Sequence, residues 1–226
     1  MEEKEKNMNS TETNWDLSQH IIDWRSAVGL ELPTSIFNWI KQECHDAKER
    51  AEKTNHTLLG HIKEEYSIKK FDDDFLKFLY EECLGHRNLK RWLLAPEITV
   101  LSENRPFYVD NMWVNYMKKH EFNPPHQHTG LFSFVVFVKI PYDLKEEEAY
   151  FKDVKVEPNT NTQHTSKFAF INQDYSGSIR IDCLPVDKSF EGKIIFFKAS
   201  QIHQVFPFYT SDEYRITLSG NIKFKV

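Results

Sequence analysis

Glycine and cysteine are both scarce in this chain of 226 residues, which has 7 Gly and 3 Cys. The cysteines, Cys44, Cys83 and Cys183, lie too far apart for the closely spaced pairs of a zinc ribbon or a thioredoxin-like motif. Their odd number and the lack of a signal sequence indicate reduced thiols, so we expect a cytoplasmic protein. The charged N-terminus resembles neither a signal peptide nor an anchor, and no run reaches the ~18 apolar residues of a membrane span.

An excess of basic residues is also missing. Lys and Arg number 29 against 34 Asp and Glu, which gives a net charge of −5. This balance disfavours a nucleic-acid partner, because phosphate attraction needs clustered Lys and Arg, although a local basic groove stays open. What the chain has in plenty is aromatic residues, 14% of the total with 18 Phe. Aromatics favour pleated, half-buried surfaces, so we expect a substantial β component and no disordered chain.

The chain divides by texture near Pro96. We expect a disordered polar tail over residues 1–14 and one domain over 15–226, with a helical support region at 15–95 and a β core at 96–226. Thr34 or Ser35 can cap a first helix, whose apolar residues follow helical spacing. A second helix is expected to begin in the cluster Asp72–Asp74 and to end at Gly85.

Seven or eight short aromatic and β-branched runs follow Pro96 without helices between them, from EITVL at 97–101 to YRITLSGNIKF at 214–224. Such runs favour a β-sandwich or a jelly roll. The polar stretch Lys145–Ser166 interrupts them and is interpreted as a mobile loop, with Glu146, Glu147 and Glu148 as its solvated face. Because long loops beside a barrel mouth commonly control access, we expect this loop to be a substrate lid.

Two histidines stand out in the sequence Asn-Pro-Pro-His126-Gln-His128. Side chains at i and i+2 of a strand project to one side, so both imidazoles can converge on one metal. His203, between an apolar strand and the next, is a plausible third ligand. Each signal alone has a plainer explanation, namely two surface histidines in a Pro-rich turn and one core histidine.

Arg215 lies in an apolar strand, where a charge needs a partner. Thr217 is two residues further along and faces the same side. A planar guanidinium fork beside a hydroxyl suits a carboxylate, which it can bind through two hydrogen bonds. The alternative is a buried ion pair between Arg215 and an Asp or Glu.

These elements occur in one order: HxH, an aromatic strand, GKIIFFKASQIHQVFPF and RITLSGN. The combination resembles the iron(II)/2-oxoglutarate-dependent oxygenases, and within them a prolyl-4-hydroxylase-like branch found in bacteria and phages. The resemblance covers roughly Asn115 to Asn221. It implies a double-stranded β-helix core of the jelly-roll or cupin-like kind, so the expected fold class is mainly β with N-terminal helices.

The resemblance also assigns residues. It implies that His126 and His203 hold Fe(II), that Arg215 grips the distal carboxylate of 2-oxoglutarate beside Thr217, and that Asn115 and Ser219 are further cosubstrate contacts. Where the family has Asp or Glu, this chain has His128. Three explanations stay open for that position: His128 is the third ligand, a carboxylate elsewhere completes the site, or one ring acts without touching the metal.

The expected activity is Fe(II)/2-oxoglutarate-dependent hydroxylation of an unidentified small-molecule or peptide substrate, consuming O2 and releasing succinate and CO2. Apolar walls of the pocket are expected among Phe132, Phe134, Phe196 and Phe197, and Trp113 and Trp92 are expected in the core. A cupin-type dioxygenase or isomerase is one alternative, and a non-catalytic jelly-roll binding module is another. The sequence leaves the oligomeric state open.

Overall fold

The structure, a computed structural model, describes residues 27–55, 58–84, 107–154, 164–174 and 176–225. The expected tail at 1–14, the run EITVL, Trp92 and the end of the second helix at Gly85 lie outside these residues. In the part described, no helix is long and apolar enough to cross a membrane.

The described residues form ten strands and three α-helices. The strands are β1 (Ala27–Glu31), β2 (Glu65–Ile68), β3 (Phe107–Met117), β4 (Asn123–His126), β5 (Phe132–Lys139), β6 (Phe168–Gln173), β7 (Ile179–Leu184), β8 (Lys193–Lys198), β9 (His203–Val205) and β10 (Arg215–Phe224). The helices are α1 (Thr34–Arg50), α2 (Asp73–Phe78), which continues into a π-helical turn over Leu79–Cys83, and α3 (Leu144–Val154).

The strands form two antiparallel sheets. The larger sheet has the order β1-β8-β5-β10-β3-β2, and the smaller has the order β4-β9-β6-β7. The connections cross repeatedly from one sheet to the other, which is the jelly-roll architecture expected from the sequence. Two of the strands, β1 and β2, come from the expected helical support region, and they extend the larger sheet at its two edges.

The larger sheet is buried on both faces, and each face packs against a different layer of the molecule. Side chains alternate along each strand, so β10 turns Leu218 and Ile222 toward α1 and α2, where they join one apolar core. The opposite face of this sheet packs on the smaller sheet and forms a second core that includes Phe137, Phe168 and Phe197. The site described below lies between the sheets.

The helix starts differ in how they are capped. Asp72 accepts a hydrogen bond from the backbone N–H of Phe75, as expected for an acidic N-cap. The expected hydroxyl cap of α1 is wrong, since the N-cap residue is Pro33 and makes no side-chain hydrogen bond. Proline is compatible with this position because the first N–H groups of a helix have no intrahelical partner.

The expected mobile loop at Lys145–Ser166 is also wrong in its first half. Residues Leu144–Val154 form α3 instead. Glu147 is fully buried rather than solvated, whereas Glu146 is exposed as expected. From His164, where the described residues resume, the chain turns through the buried pair Thr165 and Ser166 into β6.

Candidate metal and cosubstrate site

Three histidines meet at one end of the smaller sheet. His126, the last residue of β4, is the direct cross-strand partner of His203, the first residue of β9. His128 follows β4 and is held by a backbone hydrogen bond from its N–H to the carbonyl of Ala199. One ligand nitrogen from each ring lies within 4.8 Å of the others. Among the residues described, this is the group of metal-ligating side chains that could hold an ion.

Backbone carbonyls orient two of the three rings. Nδ1 of His126 lies 2.7 Å from the carbonyl oxygen of Pro124, and Nδ1 of His203 lies 2.9 Å from that of Gln201. A carbonyl can only accept, so each Nδ1 carries the proton and each Nε2 is left with its lone pair for a metal.

The Nε2 atoms of His128 and His203 lie 3.2 Å apart. Two lone pairs at this distance repel each other unless a proton or a cation lies between them. Burial lowers the pKa of His126 and that of His128, the latter to about 4, and it holds the pKa of His203 well below its ordinary range. The rings are therefore neutral at pH 7, which is the form that binds metals, and the donor set fits Fe(II).

Aromatic rings shield the histidines from water. Phe168 stacks on His203 with ring centroids 5.5 Å apart, and Phe197 meets the same ring edge-on at 4.9 Å. The ring centroids of Trp113 and His128 lie 5.5 Å apart, so this buried tryptophan also borders the site.

The expected aromatic wall is only partly correct. Phe197 faces the site, and Phe134 borders the same cavity. Phe132 and Phe196 belong instead to the core between the larger sheet and the helices, which Phe134 also joins. The alternation of side chains along β8 separates Phe196 from Phe197, whereas Phe132 and Phe134 are two residues apart on β5 and lie on the same face.

A cavity between the sheets reaches from the histidines to β10. The expected site residues all line it: His126, His128, His203, Arg215, Thr217, Asn115 and Ser219.

Arg215 is a buried cation whose guanidinium has free hydrogen-bonding capacity. Only 1% of the residue is exposed, and within the described residues no carboxylate lies within ion-pair distance of it. Its Nη1 donates to the carbonyl of Ser166 at 3.0 Å, while Nε and Nη2 have no partner there. Since unpaired buried donors are costly, this geometry fits an anionic ligand. The alternative of a buried pair with Asp or Glu is not what the described residues form.

Asn115 and Thr217 are cross-strand partners on β3 and β10. The amide nitrogen of Asn115 lies 3.2 Å from the hydroxyl of Thr217, and the amide oxygen is buried without a partner among the described residues. Ser219, two residues beyond Thr217, lies on the same face of β10. These polar groups extend the site from Arg215 toward the three histidines.

Three residues of the site escaped the sequence reasoning: Tyr142, Glu147 and Ser166. Tyr142 and Arg215 both donate to the carbonyl of Ser166. A sequence signal exists for Glu147 alone, because Leu144, Glu147 and Phe151 fall on one helical stripe, and a charge on an apolar stripe needs buried partners.

Residues 111–221, about half of the chain, match a family model described as "Putative 2OG-Fe(II) oxygenase". The chain belongs to the iron(II)/2-oxoglutarate-dependent oxygenases. This oxygenase family uses Fe(II), 2-oxoglutarate and O2. The match includes every expected site residue, from Asn115 on β3 to Ser219 on β10. The cupin-type enzyme and the non-catalytic module are accordingly disfavoured.

Solved structures show the same fold at low sequence identity. A prolyl-4-hydroxylase from Pseudomonas putida is 13% identical with a TM-score of 0.51, over 93% of this oxygenase and 96% of that chain. A structure described as OsALKBH1 is 11% identical with a TM-score of 0.52, over 87% and 97% of the two chains. No curated protein sequence gave a significant match.

Proposed function

We propose that this oxygenase hydroxylates a small-molecule or peptide substrate and that its cavity holds both Fe(II) and 2-oxoglutarate. The proposed metal ligands are His126, His128 and His203, and the proposed cosubstrate contacts are Arg215, Thr217, Asn115 and Ser219. One observation carries the assignment. A buried guanidinium with two open N–H groups and three converging imidazoles line the same cavity.

Iron(II), when bound, supplies the oxidative chemistry that couples conversion of 2-oxoglutarate and O2 into succinate and CO2 to oxidation of the substrate. The chain's own contribution is geometry. The carbonyls of Pro124 and Gln201 keep the rings of His126 and His203 turned toward the metal. Trp113, Phe168 and Phe197 keep water away from the reacting atoms.

The distal carboxylate of 2-oxoglutarate is proposed to lie against Nε and Nη2 of Arg215. A carboxylate can accept both N–H groups at once, which adds direction to the charge attraction. The amide nitrogen of Asn115 donates to the Thr217 oxygen at 3.2 Å, which leaves the single hydroxyl hydrogen of Thr217 for the same anion.

His128 distinguishes this site from the two-histidine, one-carboxylate set of the family. With three neutral imidazoles the metal keeps its full double positive charge. Attraction for the dianionic cosubstrate is then stronger than beside a carboxylate ligand. Within the described residues no carboxylate joins the histidine group, which supports His128 as the third ligand.

The choice of a small-molecule or peptide substrate rests on charge. The net charge of −5 disfavours a nucleic-acid substrate. We also propose a cytoplasmic location, supported by three free thiols at Cys44, Cys83 and Cys183.

An anaerobic titration tests the proposal. Addition of 2-oxoglutarate to the Fe(II)-loaded protein should produce the weak visible charge-transfer band of an iron-chelated 2-oxo acid, saturating at one equivalent. Arg215→Ala should raise the 2-oxoglutarate concentration at half-saturation at least about tenfold, since a charged, two-point contact is lost. Arg180→Ala on β7 is the matched control and should leave the titration unchanged. If iron binds and the band never appears, the proposed function is wrong.

A further inference from the structure

Within the part of the chain that the structure describes, one backbone carbonyl forms a hydrogen bond with the guanidinium of Arg215, whose Cζ also lies 5.9 Å from the ring centre of Phe137. Its Nη1 donates to the oxygen of Ser166 at 3.0 Å, and the hydroxyl of Tyr142 donates to the same oxygen at 2.9 Å. Burial raises the pKa of Tyr142 to about 12, so the phenol keeps its proton and remains a donor. Both lone pairs of the carbonyl are thereby used, and its direction determines where the guanidinium lies.

Ser166 adopts a backbone conformation that is unfavourable for a residue with a side chain. Its φ is +59°, in the left-handed region, and the residue is fully buried. A residue other than glycine pays for this conformation with strain, which persists only where neighbours enforce it. Two contacts enforce it here: the N–H of Ser166 donates to the carbonyl of Pro207 at 2.8 Å, and its hydroxyl donates to the carbonyl of Thr165 at 2.7 Å.

Glu147 anchors this turn from α3. Its carboxylate is fully buried and accepts from the Thr165 hydroxyl at 3.0 Å. It also accepts from the N–H of Tyr209 at 3.0 Å, the N–H of Thr210 at 2.7 Å and the Thr210 hydroxyl at 2.6 Å. One side chain therefore joins α3, the turn before β6 and the segment that leads into β10.

We propose that Tyr142 and Glu147 are positioning residues for cosubstrate binding, acting through the Thr165–Ser166 turn on the guanidinium of Arg215. The inference rests on the proposed role of Arg215. A long arginine side chain has many rotamers, and holding it in one of them removes an ordering cost from ligand binding. The fixed guanidinium also sets the distance to the metal, and with it the length of dicarboxylic acid that can span the two points.

Binding measurements on the Mn(II)-loaded protein test this proposal. The dissociation constants of 2-oxoglutarate and of the one-carbon-longer 2-oxoadipate are measured by calorimetry for wild type, Tyr142→Phe and Glu147→Gln. Glu146→Gln is the matched control, because it makes the same change at the exposed neighbouring position. The Mn(II) dissociation constant of each protein is measured as well, by electron paramagnetic resonance.

Tyr142→Phe removes one hydrogen bond and keeps the ring, so we expect a 2-oxoglutarate dissociation constant about three- to tenfold higher, with Mn(II) binding unchanged. Glu147→Gln should have a larger effect in the same direction, and in both variants the preference for 2-oxoglutarate over 2-oxoadipate should narrow. Glu146→Gln should match wild type in all three constants.

Three results would overturn the proposal. One is wild-type affinity for 2-oxoglutarate in a folded Tyr142→Phe protein, which decides the question even if Glu147→Gln does not fold. Another is an equal loss of Mn(II) and 2-oxoglutarate affinity, which indicates general damage. The third is weakened binding with an unchanged preference between the two acids. Failure of wild type itself to bind 2-oxoglutarate would instead contradict the proposed function.

Discussion

His128 lies where the oxygenase family has a carboxylate, and its ring is longer than an aspartate side chain. Nε2 is the atom that faces His203, at 3.2 Å, and it is further from the backbone than a carboxylate oxygen of Asp. The turn after β4, held by the hydrogen bond from His128 to Ala199, is therefore set for a long ligand. A Glu side chain is one methylene longer than Asp, so its carboxylate can extend nearly as far from the backbone as Nε2 of His128.

The Fe(II) affinity of variants at position 128 should follow the length of the substituted side chain. His128→Ala should weaken Fe(II) binding at least about tenfold, because a ligand is lost. His128→Glu should retain stoichiometric iron, whereas His128→Asp should bind it less tightly than His128→Glu. Anaerobic Fe(II) titration with a competing chelator measures the order. Stoichiometric iron and full turnover in His128→Ala would remove His128 from the ligand set.

The sequence predicts individual site residues well when they are close in the chain or chemically unusual in their strand. His126 and His128 form one short motif, and Arg215 is a charge in an apolar run, so both features can be detected in the sequence. The turn at Ser166 could not be found in this way. Its role depends on a left-handed backbone and a carbonyl direction, and neither leaves a residue type that sequence patterns detect.

At the scale of elements, β2 begins where two neighbouring carboxyl groups have opposite properties. Burial by itself would raise the pKa of Glu64, but hydrogen bonds from Tyr214, Lys48 and Tyr66 hold it at about 2. Glu65, the next residue, is turned inward, and burial together with the nearby charge of Glu121 raises its pKa to about 7. Alternation along a strand places the two groups on opposite faces.

The Glu65 carboxyl should make stability depend on pH between about 4.5 and 7. Its pKa is higher in the folded protein than in the unfolded chain, so the folded state binds the proton more tightly and loses stability as pH rises through this range. Glu65→Gln should remove this contribution, so the stability of the variant relative to wild type should rise between pH 5 and pH 8 by on the order of 2 kcal/mol. The oppositely signed contribution of the three buried histidines is common to both proteins and cancels in this difference. Urea unfolding of both proteins at pH 5 and pH 8 measures it. The contribution of Glu64 has the opposite sign and is lost only below pH 4.5, so it does not interfere.

Strand β10 depends on one glycine for its packing. A Cβ on Gly220 would lie 2.5 Å from Cζ of Phe134 and 2.9 Å from the carbonyl oxygen of Asn111. Gly220→Ala should therefore destabilise the protein by about 1–3 kcal/mol, as overpacking does in other cores. Adding Phe134→Leu should recover part of the loss, since it removes the ring atoms but not the backbone contact. Urea denaturation of the single and double variants decides, and a neutral single variant would contradict the expected overpacking.

The first half of the expected lid region shows where the sequence pattern fails to predict the structure. The run of three glutamates suggests a solvated loop, yet α3 forms there and Glu147 is buried. Tertiary hydrogen bonds to Glu147 then outweigh the preference of a carboxylate for water. Helix α1 needed no such information, since its buried residues follow the periodicity seen in the sequence.

At the scale of the whole molecule, the site joins the two sheets. His126 and His203 belong to the smaller sheet, and Arg215, Thr217 and Asn115 belong to the larger one. A cosubstrate that touches both the metal and Arg215 therefore connects the two layers of the jelly roll. Binding to the folded state alone stabilises a protein in proportion to the logarithm of ligand concentration over Kd.

Thermal unfolding should consequently report the order of binding. Mn(II) alone should raise Tm, and 2-oxoglutarate should add a further rise of roughly 5–10 °C at about 100 times its Kd. Without the metal, 2-oxoglutarate should have a much smaller effect, because only the Arg215 end of the site can hold it. Differential scanning calorimetry with and without a chelator measures this. Equal shifts by 2-oxoglutarate in both conditions would place its binding away from the histidines.

The alternation along β10 restricts how this oxygenase can change over evolutionary time. Arg215, Thr217 and Ser219 face the cavity, whereas Ile216 and Leu218 face the helices. One residue inserted or deleted within this part of the strand, without a compensating bulge, would move the side chains on one side of the change to the opposite face of the sheet. An apolar side chain would then lie where the cosubstrate is proposed to bind, or a polar one would lie in the core beneath the helices. Point substitutions can alter the chemistry step by step, but changes in chain length must fall outside the strand, in connections such as the one that ends at Tyr214.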